Sequence, residues 1–440
     1  MNVDLIVASS IFIIFISVTF FYLFGFQKQG PSWQSLIELR KDASDLASEI
    51  ISKGNPSDWN KENVIPSKIG LASSAYLIPI LISDTSGYNR INEPIAQEIV
   101  FDEDCKDLAW NGTVRIFDEN FNEIPFRFVN QTFCPSGYLQ KAILFFEVNV
   151  SANSTRKLQI FFYNSTQVNP KDYGNFSSLV MWLTFDEGSG NIAYDYSGNG
   201  NNGTLYNGTN ICGGIDACPL WVDGKYERAV SFDGINDYIL IGNSTIFNTQ
   251  QFTAVIWINY SGGDGYKTAI HKGSDTDREW GILRYTSTNG GQITAYIYNS
   301  TNSQFELRSG VVPELNRWYY TVLTFDGSIA KLYIDSALKV SKSIVGTRKI
   351  TVNNLVIGSM SDLVNFWNGT IDDVRIYNRA LTDEEILSHY QQPLSVKVFP
   401  RIETSLISFD KIEALRNISY DLLKDALQKG YNFRVEIYEK

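Results

Sequence analysis

The chain is poor in the residues that build metal and nucleic-acid sites. Two of its 440 residues are histidine, four are cysteine, and no Cys-x-x-Cys pair occurs. These counts disfavour a zinc site and a dithiol redox centre. Lys and Arg number 37 against 48 Asp and Glu, which gives a net charge of -11. Since phosphate binding needs a basic surface, this balance argues against nucleic acid as a partner.

Sequence signatures of common enzymes are also missing. The chain has no Gly-x-Ser-x-Gly elbow, no phosphate-binding loop and no His-Glu-x-x-His helix. Each pattern sets a nucleophile, a phosphate cradle or a metal at a fixed spacing, so the sequence argues against the enzyme classes that depend on them. Hydrophobic residues at 44% and charged residues at 19% are typical of globular proteins.

Cysteines and glycosylation sequons indicate an oxidising, glycosylating exterior. The cysteines fall into two pairs, Cys105 with Cys134 and Cys212 with Cys218, and each pair can form a disulfide; a free thiol in the second pair is the alternative. Thirteen Asn-x-Ser/Thr sequons occur where random pairing would give roughly five. Crowding of Asn, Ser and Thr into β-turns is the alternative explanation for part of this excess. The sequons are at Asn111, Asn130, Asn149, Asn153, Asn164, Asn175, Asn202, Asn207, Asn243, Asn259, Asn299, Asn368 and Asn417.

The N-terminus predicts a membrane anchor. Residues 5–26 are apolar and uncharged, and about 22 residues at ~1.5 Å each span a hydrocarbon core of about 30 Å. A cleaved signal peptide is the alternative, but a preceding basic region and a following small-x-small site are both missing. The positive-inside rule disagrees with an exterior C-terminal side, because Lys28, Arg40 and Lys41 follow the run. Sequons and cysteines place that side outside, which predicts a single-pass cell-surface protein.

A predicted amphipathic helix follows the anchor. From residue 33 apolar residues recur at helical spacing as far as Ile51, and Gly54 ends the pattern. Residues 49–71 resemble the membrane-proximal part of archaeal pilin-like surface proteins, and residues 395–440 resemble the remainder of that module. The resemblance implies a small α/β platform formed by residues 28–70 and 395–440. The basic prepilin leader of that family is missing, which argues against assembly into a pilus.

The middle of the chain is rich in short strands. Alternating apolar runs separated by Gly, Asn and Asp turns occupy residues 71–170 and 175–392. Such spacing predicts a mainly β protein with two antiparallel β-sandwiches. Cys105 and Cys134 lie in the first sandwich, and Cys212 and Cys218 lie in a loop of the second.

The second segment carries five motifs in a characteristic order. They lie at residues 179–190, 229–239, 252–258, 318–327 and 367–386, from LVMWLTFDEGSG to WNGTIDDVRIYNRALTDEEI. Their order and wording resemble the laminin-G-like, concanavalin-A-like jelly-roll lectin domain. The resemblance implies a jelly roll that binds glycans or glycosylated partners in adhesion or recognition. The first segment resembles the small β-sandwich that often precedes such modules in archaeal and bacterial surface proteins.

The same resemblance implies a structural calcium ion. Laminin-G-like modules often hold one near their first loop and last strand, and by motif the ligands here are Asp195, Asn199 and Asp372. Carboxylate and amide oxygens are the hard ligands that calcium prefers. The alternative is that these residues only form Asx-turns.

Aromatic rings stack on sugar rings, so exposed aromatic residues of the jelly roll are the candidate glycan contacts. Most tryptophans of a sandwich belong to the core, and strand alternation alone does not decide which face each one occupies. The candidates are Tyr194, Tyr206, Tyr266, Trp280 and Trp367.

The predicted function is non-catalytic glycan binding by a membrane-anchored surface protein. Glycosidases that share this fold need paired carboxylates, typically a Glu-x-Asp-x-x-Glu run. The nearest segment, residues 371–376, has Arg375 and Ile376 where further acids would stand. A structural envelope or pilus-like subunit is one alternative, and a glycoside hydrolase is another. The sequence leaves homo-oligomer formation open.

Overall fold

The computed structural model describes residues 72–407, apart from residues 121, 165, 167, 168, 213–217 and 275. The predicted anchor at residues 5–26, the segment 28–70 and the helix predicted beyond residue 408 lie outside these described residues. None of the helices found within them has the length and apolar character needed to cross a membrane. The described chain is mainly β, as predicted, with strands β1–β26 and one α-helix, α1.

Strand alternation builds the first sandwich. In the strand Leu139–Val150, the side chains of Leu144, Phe146 and Val148 enter the core, because every second residue of a strand points to the same face. The six-stranded sheet comprises β1 (Ala72–Ser83), β3 (Arg115–Asp118), β4 (Glu123–Ile124), β7 (Thr155–Phe162), β25 (Ser395–Val398) and β26 (Ile402–Ile407). The three-stranded sheet comprises β2 (Arg90–Val100), β5 (Phe126–Phe133) and β6 (Leu139–Val150).

Two larger antiparallel sheets form the jelly roll. The nine-stranded sheet comprises β9 (Ile192–Ala193), β10 (Gly203–Asn207), β11 (Asn210–Ile211), β14 (Asp237–Gly242), β16 (Lys267–Gly273), β17 (Arg278–Arg284), β18 (Ile293–Tyr298), β19 (Gln304–Arg308) and β23 (Leu355–Ile357). The eight-stranded sheet comprises β8 (Leu179–Leu183), β12 (Leu220–Asp223), β13 (Arg228–Asp233), β15 (Phe252–Tyr260), β20 (Trp318–Phe325), β21 (Ile329–Ile334), β22 (Ala337–Ser343) and β24 (Asn368–Tyr377).

The inner faces of these two sheets enclose one hydrophobic core. Within it Trp280 of β17 stacks on Phe252 of β15 with ring centroids 4.9 Å apart, so the pair joins the two sheets. Gly369 of β24 has a φ of +137°, and a Cβ there would lie 2.1 Å from the carbonyl oxygen of Asn259. The close pairing of β24 with β15 therefore requires glycine at this position.

The outer face of the eight-stranded sheet packs on the first sandwich. Trp257 and Tyr320 project from this face into a cluster that includes Phe145 of the three-stranded sheet. The helix α1 (Asp383–Tyr390) adds Ile386 to the same cluster, and Thr382 caps it in a capping box with Glu385. Both faces of the central strands β15, β20 and β24 are consequently buried.

The chain returns to the first sandwich after the jelly roll. Strand β25 pairs with the second half of β1, and β26 pairs with its first half, so that Ala72 lies opposite Ile407. The jelly roll is therefore an insertion into the six-stranded sheet, and the two ends of the described chain are neighbours. Residues 395–407 pair with β1, whereas the remainder of the predicted α/β platform lies outside the described residues.

Candidate functional site

The outer face of the nine-stranded sheet carries a group of tyrosines. Leu205 and Ile239 point into the core, so the adjacent Tyr206 and Tyr238 point outward. Ala295 and Ile297 also point inward, which places Tyr296 and Tyr298 on the outer face. We call Tyr206, Tyr238, Tyr285, Tyr296 and Tyr298 the tyrosine face.

The tyrosine face has two parts, one at each side of the sheet. On β10 and β14, the rings of Tyr206 and Tyr238 are stacked, with centroids 5.1 Å apart and planes 7° apart. On the other side, the rings of Tyr296 and Tyr298 meet edge to face at 5.8 Å. Tyr285 makes an edge contact of 5.4 Å with Tyr266, which is 38% exposed and extends the face at its border.

A glycine makes room for the central ring. Gly281 lies opposite Tyr296 on the neighbouring strand, and a Cβ at Gly281 would lie 2.9 Å from the Tyr296 hydroxyl oxygen. Tyr296 thus lies across β17 instead of standing upright. Its hydroxyl is buried and has no hydrogen-bond partner among the described residues, and burial raises the pKa of this phenol well above its usual value.

Polar side chains border the same rings. The guanidinium of Arg308 lies 5.0 Å from the ring centroid of Tyr285 and forms an ion pair of 3.0 Å with Glu306. The Tyr298 hydroxyl donates a hydrogen bond of 3.0 Å to the side-chain oxygen of Gln304. Tyr206 and Tyr298 are partly exposed, whereas Tyr238, Tyr285 and Tyr296 are only 4–7% exposed. The accessible rings and the neighbouring amide, carboxylate and guanidinium groups offer both an apolar surface and hydrogen-bond partners to a polyhydroxylated ligand.

The structure separates the predicted aromatic contacts into two groups. Tyr194 is 50% exposed, and Tyr206 and Tyr266 are also accessible. Trp280 and Trp367, by contrast, are 2% and 0% exposed and belong to the jelly-roll core. Neither tryptophan can contact a ligand in this structure, so those two predictions are corrected.

Tyr285, Tyr296 and Tyr298 are not among the aromatic contacts that the sequence predicts. The segment ITAYIY of β18 alternates apolar and tyrosine residues, which was the available signal that its tyrosines share one face.

Two of the three predicted calcium ligands do not fit that role. Both oxygens of the Asp195 carboxylate accept backbone N–H groups, from Trp182, Ser197 and Asn201, each at 2.9 Å. The side-chain oxygen of Asn199 accepts a hydrogen bond of 3.1 Å from the guanidinium of Arg127. The Asp195 carboxylate is thus occupied by backbone N–H groups, and the Asn199 oxygen is occupied by a guanidinium. The structure therefore favours the Asx-turn interpretation for both residues.

Asp372 has a different environment. Its side chain is 0% exposed, and one carboxylate oxygen accepts backbone hydrogen bonds from Lys225 and Tyr226 at 2.8 Å and 3.0 Å. The other oxygen is buried without a partner among the described residues, and burial raises the pKa of the carboxyl to about 8. The same turn donates the N–H of Arg228 to Asp186 at 3.0 Å. Asp372 is therefore the one predicted ligand that keeps a carboxylate oxygen without a partner among the described residues, and Asp186 lies near it.

In the described part of the chain, no group of three or more His, Cys, Asp or Glu side chains could hold a metal ion. Any calcium held by Asp372 and Asp186 would need backbone oxygens or water to complete its ligands.

The cysteines are paired as the sequence predicts. Cys105 is bonded to Cys134 and Cys212 to Cys218, which confirms both disulfides. Among the sequon asparagines, Asn299 is buried, because its side chain is 4% exposed and its amide is bonded to Val345 and Thr301. Asn299 cannot carry a glycan in this conformation. Asn417 lies outside the described residues.

The jelly roll is also the part of the chain that is similar to known proteins. Residues 233–387 match the concanavalin A-like lectin/glucanases superfamily. The match confirms the predicted jelly-roll family for this part of the chain, from the end of β13 to α1. No protein with a curated description matches the sequence.

Similar solved structures cover about half of the chain. Domain 4 of AbnA, an extracellular arabinanase of Geobacillus stearothermophilus solved with arabinotriose, is 21% identical over 49% of this chain and 99% of that domain, with a TM-score of 0.39. The binding domain of Paraclostridial Mosquitocidal Protein 1 is 17% identical over 48% and 51% of the two chains, with a TM-score of 0.38. The botulinum neurotoxin serotype D binding domain is 18% identical over 50% and 52%, with a TM-score of 0.38. This chain spans about half the length of the two toxin domains, and their ligands are not carried over to it.

Proposed function

We propose that the protein is a membrane-anchored surface protein that binds glycans through the tyrosine face, without catalysis. The observation that carries this proposal is the position of the tyrosine face. The outer face of the eight-stranded sheet is buried by the first sandwich, whereas the cluster on the outer face of the nine-stranded sheet contains Leu283, Tyr285, Tyr296 and Tyr298 and no residue of the first sandwich.

The chemistry of the tyrosine face suits carbohydrate. A sugar ring has an apolar face that packs on aromatic rings and a rim of hydroxyls that needs hydrogen-bond partners. The face supplies both, with Tyr298 and Tyr266 as accessible rings and Gln304, Glu306 and Arg308 as polar neighbours.

The two adjacent acids of β24, which lie in the segment nearest to a glycosidase motif, are paired or buried, which supports binding over hydrolysis. Asp373 holds Arg375 at 2.9 Å and accepts the indole N–H of Trp182 at 2.7 Å. Asp372 is fully buried. A sugar-cleaving pair instead needs two carboxyl groups about 5–10 Å apart on an accessible cleft.

The proposed attachment to a membrane rests on the apolar run near the N-terminus. A helix over residues 5–26 would hold the chain in the membrane, and the first sandwich would then carry the jelly roll away from it. Ala72 and Ile407 are paired neighbours, so both flanking segments leave the first sandwich at one place. A structural envelope subunit remains the alternative, in which the tyrosine face binds no sugar.

A glycan array on the full-length chain in detergent tests the proposal. We expect sugar-selective binding that Tyr298→Ala and Tyr206→Ala each weaken, because each substitution removes a stacking surface. Tyr88→Ala is the matched control, since Tyr88 is 45% exposed on the first sandwich. The proposal fails if the array shows no selective signal, or if the control variant loses as much binding as the other two. Release of reducing ends from a bound polysaccharide would instead favour the hydrolase.

A further inference from the structure

A polar pocket lies between the two sandwiches. Its volume is about 340 Å³, and its walls come from three parts of the chain. The first sandwich contributes Asn92 and Glu147, the connector contributes residues 175–178, and the jelly roll contributes Asn378 and Arg379. The pocket exists only because the sandwiches are packed together.

Several polar groups of this pocket have unused hydrogen-bonding capacity. One oxygen of Glu147 accepts the hydroxyl of Ser177, and its other oxygen has no partner among the described side chains. The side-chain amides of Asn175 and Asn378 likewise make no hydrogen bond within the described residues. Burial raises the pKa of the Glu147 carboxyl above its usual value.

The remaining charges are neutralised by each other. Arg379 holds Glu385 through two contacts of 2.6 Å and 2.7 Å, and the oxygens of Glu385 also accept the backbone N–H of Thr382 and the side-chain amide of Asn92. Phe176 supplies one aromatic ring to the wall, held between Phe145 at 6.0 Å and the guanidinium of Arg127 at 4.9 Å. The pocket therefore presents amides, hydroxyls, one carboxyl group and one ring, and its arginine is already paired with Glu385.

We propose that this inter-sandwich pocket is a second carbohydrate site, which seats a mono- or disaccharide. Its volume lies at the lower end of the ~300–1,000 Å³ range of small-molecule sites. Most such sites are lined by apolar groups, so a lining of amides and hydroxyls selects a polyhydroxylated ligand over a hydrophobic one. The proposal holds whether or not the tyrosine face binds glycan.

Two sources could supply the sugar. One is a glycan of another molecule. The other is this chain's own glycan, because Asn175 is both a wall residue of the pocket and the acceptor of the sequon Asn-Phe-Ser. A glycan attached to Asn175 would begin at the rim of the pocket.

The test uses the full-length chain in detergent from a host without N-glycosylation. Saturation-transfer NMR with glucose, galactose, mannose, arabinose and N-acetylglucosamine reports binding. We expect at least one sugar to bind and Asn378→Ala to weaken it about tenfold, as the loss of a well-made hydrogen bond does. Glu147→Gln should also weaken binding while keeping the bond to Ser177. Asn354→Ala is the control, since Asn354 is exposed and outside the pocket. Sugar binding that Tyr298→Ala removes and Asn378→Ala leaves unchanged would belong to the tyrosine face and would count against the pocket.

A second preparation from a glycosylating host distinguishes the sources. If the chain's own glycan is the occupant, added sugar no longer binds, Asn175→Gln restores binding, and an endoglycosidase trims Asn175 more slowly than exposed Asn153. If the glycan comes from another molecule, added sugar binds equally to both preparations. The proposal is overturned if the unglycosylated chain binds none of the sugars and the glycans on Asn175 and Asn153 are trimmed at the same rate.

Discussion

Asp372 combines complete burial with a carboxylate oxygen that has no partner among the described residues. Its pKa is raised from 3.8 to about 8, because burial disfavours the charged form. A carboxyl whose folded pKa lies above its unfolded pKa contributes most stability at low pH, and that stability is lost as the pH rises from about 4 to about 8. In the absence of calcium we expect Asp372→Asn to raise the free energy of unfolding at pH 7 by about 2–4 kcal/mol and to change it little at pH 4.

When calcium is bound, we expect Asp372→Asn to lower the free energy of unfolding instead of raising it, since a bound cation stabilises the carboxylate. Melting temperatures of the full-length chain with calcium and with a chelator measure both effects. We expect calcium to stabilise the wild type and Asp195→Asn, and to leave Asp372→Asn unchanged. An equal calcium response in Asp372→Asn and the wild type would show that Asp372 is not a ligand.

The sequence was least informative about single aromatic residues. Period-two alternation separates the two faces of a strand but does not say what covers each face. Phe252 and Ile256 of β15 enter the jelly-roll core, whereas Trp257 packs on the first sandwich. Both faces of β15 are buried, so hydropathy does not distinguish them. Trp280 and Trp367 were misplaced for the same reason, because burial by a partner sheet is not encoded locally.

At the scale of elements, the two disulfides should differ in their effect on stability. Cys105–Cys134 joins the segment after β2 to the end of β5 over 29 residues, whereas Cys212–Cys218 spans 6. In the chain-entropy model, the longer loop corresponds to about 3–4 kcal/mol and the shorter to about 2 kcal/mol. We expect the Cys105→Ser/Cys134→Ser variant to have a lower free energy of unfolding, in a denaturant titration, than the Cys212→Ser/Cys218→Ser variant. Equal losses would contradict the loop-length explanation.

Local elements were predicted better than the contacts between them. The Thr382 cap of α1, both disulfides and the strand-rich segments have short-range signals, and the structure shows all of them. The pairing of β26 with β1 has no such signal, because it joins the two ends of the described chain. The tyrosine face could be predicted only in part. The alternation within β18 is visible in the sequence, but the contact that lets Tyr296 lie over Gly281 joins two different strands.

At the scale of the whole molecule, buried charges join the two sandwiches. Arg90 of β2 is 2% exposed, binds Asp84 at 2.8 Å and donates hydrogen bonds to the carbonyl oxygens of Ser388 in α1 and of Gln392 just after it. Glu93 accepts the hydroxyl of Ser388 at 2.9 Å. Together with the aromatic cluster around Trp257, these contacts should make the first sandwich and the jelly roll unfold as one unit.

Calorimetry of Arg90→Met tests this coupling. The substitution leaves Asp84 buried without its cation and removes both bonds to α1 and the residues just after it, a loss of about 3–5 kcal/mol for a buried charge pair. We expect one thermal transition in the wild type and two in Arg90→Met, because the jelly roll keeps its own core when the contact with the first sandwich weakens. Arg308→Met removes an exposed guanidinium and should keep a single transition. A single, slightly shifted transition in Arg90→Met would mean that apolar packing alone couples the two sandwiches.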